Sequence, residues 1–258
     1  MRGIFIGLII SFLYSCKPQE ISPRNCRFVT VKEEQVNLTG AGFTAVSTFT
    51  YNQNGDLEKM EVNNSNTANS YTINIKHETA KRKVLENIQA SGRVSRDTLT
   101  LNDLGYRDNN VFRNLNSFSK TFYEYDSKGF PRRVVLKDNF GNGITLGEWE
   151  YLNDGSNLTI YQRITANGIV IIEQYEYYPD KINDRFYYVS QFHLSKVFGR
   201  PPRNILKKIL RANGDKFEYT DYQFDKNNNI TSYVETFTGI SGLNGYTRKV
   251  SFEYFCVD

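Results

Sequence analysis

The stretch FYEYDSKGF, residues 122–130, contains two tyrosines separated by one residue and follows them directly with a polar turn. The same arrangement recurs in FTYNQNGDL (49–57), LTLNDLGY (99–106), WEYLNDGS (149–156), YEYYPDKI (175–182) and YQFDKNNNI (222–230). Spacings of one or two multiples of about 25 residues mark an internal repeat. Strand residues two apart face the same side, and Asn, Asp and Gly suit tight turns, so each unit predicts a β-hairpin.

The paired aromatic residues of these units define one face of the predicted sheet. We expect that face to be buried, with a core that includes Tyr51, Tyr125, Trp149, Tyr151, Tyr177 and Phe224. Between the paired aromatics stand mostly carboxylates, namely Glu124, Glu150, Glu176 and, in the last strand, Glu253. The return strands are basic, so cross-strand charge pairs on a solvated face are expected. The alternative is a hydrolase that uses two of these glutamates as acid and base.

Composition and repeat together predict an all-β protein. The chain has 18 Tyr and 18 Phe but only 6 Pro. A sheet of ten or more twisted strands tends to curl, which lets its aromatic face bury itself. We therefore expect an antiparallel meander of repeated hairpins that forms a strongly curled sheet or a barrel-like structure. One short helix or loop excursion interrupts it, and residues 26–258 form a single domain.

Two segments break the repeat. Between 71 and 98, the run ETAKRKVLENIQASG is compatible with a helix, although the rhythm of the repeat favours another hairpin. Between 193 and 214, two prolines disfavour a sheet interior, and NILKKILRA is expected to form a short helix ended by Gly214. This second segment is the most basic part of the chain, and its candidate binding residues are Arg200, Arg203, Lys207 and Lys208.

The N-terminus has the features of a secretory signal. Residues 1–15 combine one basic residue with an apolar run too short to span a bilayer, and Cys16 follows. This order resembles a bacterial lipoprotein signal, which implies that Cys16 is lipidated and that residues 16–25 are a tether. The expected location is the bacterial cell envelope, as an outer-membrane lipoprotein. The alternative is ordinary secretion, in which Cys16 has no role.

Cys26 and Cys256 remain after lipidation of Cys16, one near each end of the mature chain. In an oxidising compartment we expect them to form a disulfide. Such a bond would stabilise the fold by on the order of 4 to 5 kcal/mol in the chain-entropy model. The alternative is two separately buried thiols.

The repeat resembles the tyrosine-aspartate repeats of RHS-type shell proteins in a shorter, degenerate form. The whole chain resembles a group of Bacteroidetes lipoproteins described as having a porin-like β fold. The matching features are Cys16, the first strand CRFVTV from Cys26, the segment LTLNDLGY, the serial YEYD-like units and FGRPPRNILKKI. This resemblance implies an envelope location and an antiparallel meander, and it supplies no catalytic residues.

The chemistry-bearing residues of the sequence favour binding over catalysis. Without Arg2, 31 basic and 28 acidic residues leave a charge of +3, too mild for a nucleic-acid partner. His77 and His193 lack a second ligand at metal spacing, so neither metal nor cofactor is expected. The first hypothesis is a monomeric, non-enzymatic lipoprotein, attached to the membrane by its lipid, that binds a glycan, a peptide or an envelope protein. The alternative is a carrier of lipid or another apolar ligand.

Overall fold

The computed structural model describes residues 25–38, 40, 42–113, 118–138, 145–165, 167–182, 199–240 and 245–257. These residues form sixteen strands: β1 (Asn25–Asn37), β2 (Gly42–Tyr51), β3 (Leu57–Asn64), β4 (Tyr71–Thr79), β5 (Arg82–Gln89), β6 (Val94–Leu101), β7 (Arg107–Arg113), β8 (Phe118–Tyr125), β9 (Pro131–Asp138), β10 (Thr145–Asn153), β11 (Leu158–Thr165), β12 (Gly168–Ile182), β13 (Asn204–Arg211), β14 (Lys216–Phe224), β15 (Ile230–Thr238) and β16 (Gly245–Val257). A single 3-10 turn, Thr67–Asn69, joins β3 to β4 in the described chain. No helix among these residues is long and apolar enough to cross a bilayer.

The strands form a closed antiparallel barrel. Each strand pairs with its neighbours in sequence, and β16 pairs with β1 to complete the circle. The expected all-β meander is therefore confirmed, and of the two predicted forms the chain adopts the barrel. At the closing seam, Cys26 stands opposite Cys256, and the two are joined by a disulfide with Cα atoms 4.0 Å apart.

The expected helix at 204–212 is wrong, because this segment is strand β13. It pairs with β12 on one side and with β14 on the other. The register shifts at Lys207, so that both Leu206 and Ile209 reach the core, with exposures of 1% and 9%. The bulge thus explains why the apolar spacing looked helical. Residues 183–198, which include the first six residues of the predicted excursion, lie outside the described residues.

Two other segments resolve the remaining alternatives for local structure. The run at 78–92 forms the end of β4, a tight turn and β5, so the hairpin is confirmed and the helix is wrong. The predicted turn in YEYYPDKI is also wrong, since β12 continues through to Ile182. β12 pairs there with β13, and the return strand expected after this unit lies outside the described residues.

One end of the barrel is built from a repeated turn, and we call it the Asx end. In each turn an Asn or Asp follows the strand, and its side-chain oxygen accepts hydrogen bonds from backbone N–H groups two to four residues later. These residues are Asn52, Asn102, Asp126, Asp154 and Asp225. In the first four of these five turns a glycine supplies the positive φ, as at Gly129 (φ +87°). The aromatic-x-aromatic unit therefore ends in a turn that its own polar residue stabilises.

The Asx half of the barrel interior is filled with side chains. Leu99, Ile205 and Val31 are fully buried, and Leu206, Val250 and Tyr233 are nearly so. Residues 199–203 cross this end, where the Arg200 N–H donates to the Gly129 carbonyl and the Arg203 N–H to that of Ser156. We call the opposite end, which carries the turns at 65–70, 90–93 and 212–215, the loop end.

Most predicted core residues face the interior. Tyr51 and Tyr177 pack against the main core, and Tyr151 stacks on Tyr161 with ring centroids 4.7 Å apart. The prediction that Phe224 belongs to the core is wrong, since this residue is 38% exposed. Register shifts between Thr220 and Phe224 break the alternation of side chains along β14. Tyr222 is therefore buried, whereas Phe224, the second aromatic residue of the same unit, is not.

The outer wall carries the predicted cross-strand charge pairs. Arg133 bridges Glu124 at 3.2 Å and Glu148 at 2.6 Å, and Lys208 pairs with Glu176 at 2.6 Å. The carboxylates between the paired aromatics thus point away from the lumen, as the period of two requires.

Candidate functional site

A polar layer lines the barrel interior on the loop-end side of the apolar core. Because side chains alternate along a strand, the residue two positions from a core residue also faces the lumen. On six strands this position, toward the loop end, is charged: Glu33 beyond Val31, Asp97 beyond Leu99, Glu173 beyond Tyr175, Arg211 beyond Ile209, Glu235 beyond Tyr233 and Arg248 beyond Val250. The interior therefore changes from apolar to charged along the barrel axis.

The seam of the barrel holds the first charged cluster of this layer. Arg248 on β16 donates from Nη1 to Glu33 Oε2 and from Nη2 to Glu235 Oε1, both at 2.6 Å. The Tyr246 hydroxyl donates to the same Glu235 oxygen at 2.8 Å. The Glu235 side chain is only 5% exposed, while that of Arg248 is 26% exposed. One guanidinium thus joins three neighbouring strands and retains access to the lumen.

A second cluster lies on β12 and β13. Arg211 Nε donates to Glu173 Oε1 at 3.0 Å, and the Tyr175 hydroxyl donates to Glu173 Oε2 at 2.7 Å. The Arg211 side chain is 45% exposed and its guanidinium lies over the Phe217 ring, 4.6 Å from the centroid. Both oxygens of this carboxylate are therefore held while the cation stays accessible.

Three half-buried rings connect the two clusters, and we call Phe217, Phe237 and Tyr246 the luminal aromatic row. Their successive centroids lie 4.8 and 5.3 Å apart. The guanidinium of Arg211 covers one end of the row, and that of Arg248 lies 5.8 Å from the Tyr246 centroid at the other. The row offers aromatic faces between two hydrogen-bonding charge clusters.

Burial keeps the hydroxyl groups of this layer protonated. Desolvation, followed by the charge of Glu235, raises the pKa of Tyr246. Desolvation, followed by the charge of Glu33, raises the pKa of Tyr71 as well. Desolvation also raises the pKa of Asp97 despite its hydrogen bond from an asparagine side chain. The tyrosines can therefore act as hydrogen-bond donors throughout the neutral pH range.

Some buried polar atoms of the layer have no hydrogen-bond partner among the described residues. They include Oδ1 of Asn87, Oδ1 of Asn110 and Nε of Arg248. Asn110 is 8% exposed and already donates to Asp97 at 2.9 Å. Buried acceptors and donors that remain unused are costly unless another group satisfies them. The layer therefore holds hydrogen-bonding capacity that the described residues do not use.

The binding residues predicted from sequence lie elsewhere and do not come together. Arg200 lies at the Asx end, with its guanidinium 5.3 Å from the centroid of Phe130. Arg203 belongs to the same crossing segment. Lys207 forms the β13 bulge and Lys208 pairs with Glu176 on the outer wall. Cys16 lies outside the described residues.

The sequence contained a signal for the luminal layer. Glu173 stands two positions before Tyr175, and Arg248 two before Val250, so each shares the face of a core residue. A charged residue two positions from a core residue lies on the same face of the sheet. Once the sheet is known to close into a barrel, this spacing predicts that the charged side chain faces the lumen. The cross-strand partners, such as Glu33 for Arg248, required the closure itself.

Comparisons with known proteins show the fold. The sequence matches no protein-family model and no curated protein. The crystal structure of a porin-like protein from Bacteroides uniformis ATCC 8492 has a TM-score of 0.67 and 18% identity, covering 88% of this chain and 98% of its own. A porin-like protein from Bacteroides vulgatus ATCC 8482 has a TM-score of 0.53 and 14% identity over the same shares. The chain therefore has the β-barrel fold of these porin-like Bacteroides proteins.

Proposed function

We propose that this protein is a non-enzymatic lipoprotein of the cell envelope that binds an uncharged polar ligand, a glycan, in the loop-end lumen. The observation that carries the proposal is the luminal aromatic row with an Arg–Glu cluster at each end. Ring faces and convergent hydrogen-bonding groups above a closed apolar floor are typical of small-molecule sites.

The charge balance of the layer favours an uncharged ligand. Five of its six charged residues, namely Glu33, Glu173, Glu235, Arg211 and Arg248, take part in ion pairs, and the sixth, Asp97, accepts a hydrogen bond from Asn110. A net ionic ligand would have to compete with pairs that are already made at 2.6 to 3.0 Å. Hydroxyl groups can instead bind the outer edges of paired ions without displacing them.

The apolar half of the interior argues against a carrier of lipid. Its side chains fill the space themselves, with Val31, Leu99 and Ile205 at 0% exposure. A carrier needs a cavity of ligand size lined by such residues. The hydrolase alternative is also disfavoured, because Glu124 and Glu176 are paired with basic partners on the outer wall.

The proposed location rests on the N-terminal sequence and on the wall. Residues 1–16 have the order of a lipoprotein signal, so the proposed anchor is a lipid on Cys16. Membrane-spanning barrels alternate apolar residues outward with polar residues inward. Here, charge pairs such as Lys59–Glu61 and Lys216–Glu218 lie on the outside, which supports attachment by lipid rather than by the barrel wall.

Calorimetric titration of the purified Cys16→Ala protein with neutral oligosaccharides of the bacterial envelope tests this function. Phe237→Leu removes the central ring of the row while keeping an apolar side chain. It should weaken binding up to about tenfold, the magnitude of one aromatic contact. Phe122→Leu, on the outer wall of β8, is the matched control and should bind like the parent. Equal affinities for both variants, or saturable binding of fatty acids instead, would contradict the proposal.

A further inference from the structure

A second feature of the molecule lies on the outer wall across β5 to β9 and plays no part in the luminal site. We call it the basic strip, and it consists of Arg82, Arg96, Arg113, Lys120 and Lys137. All five side chains point outward, because the alternation along each strand puts them on the face opposite to core residues such as Leu85 and Leu99. Four strand spacings of about 4.8 Å give the strip a width of roughly 19 Å.

Like charges stand directly opposite one another in this strip. Arg96 faces Arg113 between β6 and β7, and Lys120 faces Lys137 between β8 and β9. Facing side chains are about 5 Å apart, and like charges at that distance destabilise a sheet. Elsewhere on the wall the corresponding positions carry opposite charges, as for Glu124 facing Arg133. The strip therefore departs from the pairing rule that the rest of the wall follows.

Carboxylates of the wall neutralise only part of the strip. Glu86 pairs with Arg96 at 2.8 Å and Glu78 with Arg82 at 2.9 Å. The two lysines instead share one ring, with ammonium groups 4.7 and 5.4 Å from the centroid of Phe122. Neither lysine has an ion pair within the described part of the chain. The strip keeps a positive excess on side chains that are partly or largely exposed, with Arg96 66% exposed.

The strip also has the shape of a site. A groove of about 590 Å³ lies between the side chains of Arg82, Arg96 and Arg113. Val94 and Val111 form apolar parts of its lining, and Glu86, the partner of Arg96, is the one carboxylate among the lining residues. A groove with cationic edges and apolar walls fits a chain-like ligand that carries acidic groups on apolar rings. A bilayer, in contrast, would reach only the outermost side chains of a convex wall.

We propose that the basic strip binds a linear acidic polysaccharide whose carboxylate groups lie between the facing cations. An anionic group between Lys120 and Lys137 converts this repulsive pair into two charge-assisted contacts, and a second anionic group reaches the guanidinium groups of Arg96 and Arg113 beside Glu86. The luminal site and this strip are independent, because one faces inward from β12–β16 and β1 and the other outward from β5–β9.

Fluorescence anisotropy with a labelled oligogalacturonate tests this site in the Cys16→Ala protein. The variant Arg113→Gln/Lys120→Gln/Lys137→Gln removes three charges of the strip. Lys32→Gln/Lys59→Gln/Lys216→Gln removes the same net charge from ion-paired positions on other strands. The strip variant should lose at least about tenfold in affinity at low salt, whereas the control should change by less than about threefold.

Three results would overturn the proposal. One is an equal loss in both triple variants, which would show attraction by net charge alone. Another is strip-dependent binding to phosphatidylglycerol vesicles without binding to oligogalacturonate, which would assign the strip to a membrane surface. The last is unchanged binding by the strip variant. Neutral-glycan titration of the same variants separates this test from that of the luminal site, since both should keep the parental affinity there.

Discussion

Arg248→Met is expected to destabilise the barrel by about 3 kcal/mol, the lower end of the range for removing one partner of a buried ion pair. The guanidinium makes two contacts of 2.6 Å, and the substitution leaves Glu235, at 5% exposure, without its cation. Glu33 is 19% exposed and can be partly rehydrated, which places the estimate at the lower end. For a domain of this size the loss corresponds to a fall in Tm of about 6 to 12 °C.

The pH dependence of the free energy of unfolding provides a second test of this prediction. Burial acts to lower the pKa of Arg248, but the carboxylates of Glu235 and Glu33 outweigh burial, so that pKa is raised. A cation with a raised pKa stabilises fully at all pH values below its unfolded pKa, so this contribution stays constant between pH 5 and pH 9. The stability difference between the variant and the parent should therefore stay constant from pH 7 to pH 9.

Urea denaturation at pH 7 and pH 9, followed by tryptophan fluorescence, measures both the loss of stability and its pH dependence. Lys249→Met, at the adjacent outward position of β16, is the matched control and should change stability by less than about 0.5 kcal/mol. Adding Glu235→Gln to Arg248→Met should recover part of the loss, because no buried charge then lacks a partner. An Arg248→Met protein as stable as the Lys249→Met protein, or a stability difference from the parent that disappears at pH 9, would refute the reasoning.

Other parts of the barrel give three further predictions. Replacing Cys26 and Cys256 by Ser should cost about 5 kcal/mol in the chain-entropy model, because the bridge joins residues 230 positions apart; two alkylatable thiols in the unreduced protein would contradict it. Gly199→Ala should cost about 2 kcal/mol, because its φ is +96° and a Cβ would lie 2.7 Å from the Gly129 carbonyl oxygen. Gly92→Ala, at φ +80° in open space, should cost about half as much in the same melt, and equal losses would exclude the contact as the cause. Lys120→Glu should raise stability by about 0.5 kcal/mol by pairing with Lys137, and a Tm below that of Lys120→Gln would argue against repulsion in the basic strip.

The sequence by itself determined the local structure of most of the barrel. Its aromatic-x-aromatic units set the period of two, and Asn102, Asp126 and Asp225 end their strands with side chains that can close the turn alone. These features depend on a few neighbouring residues, so they can be predicted without knowledge of contacts between distant parts of the chain. The same period of two also predicted that Glu124 and Glu176 would pair with basic residues on an outer face.

Only the tertiary structure decided the closure of the sheet, the bulges and both candidate sites. NILKKILRA becomes a strand because β12 and β14 offer it paired edges on both sides, which outweighs a local preference for helix. Register shifts of one residue, as beside Phe224, reverse the face of a side chain and depend on the neighbouring strand. Arg248 finds Glu33 only when the last strand meets the first, 215 residues away in sequence. The pairing between strands therefore decides which charged side chains lie in the luminal site and which lie in the outer basic strip, a distinction that the sequence alone does not make.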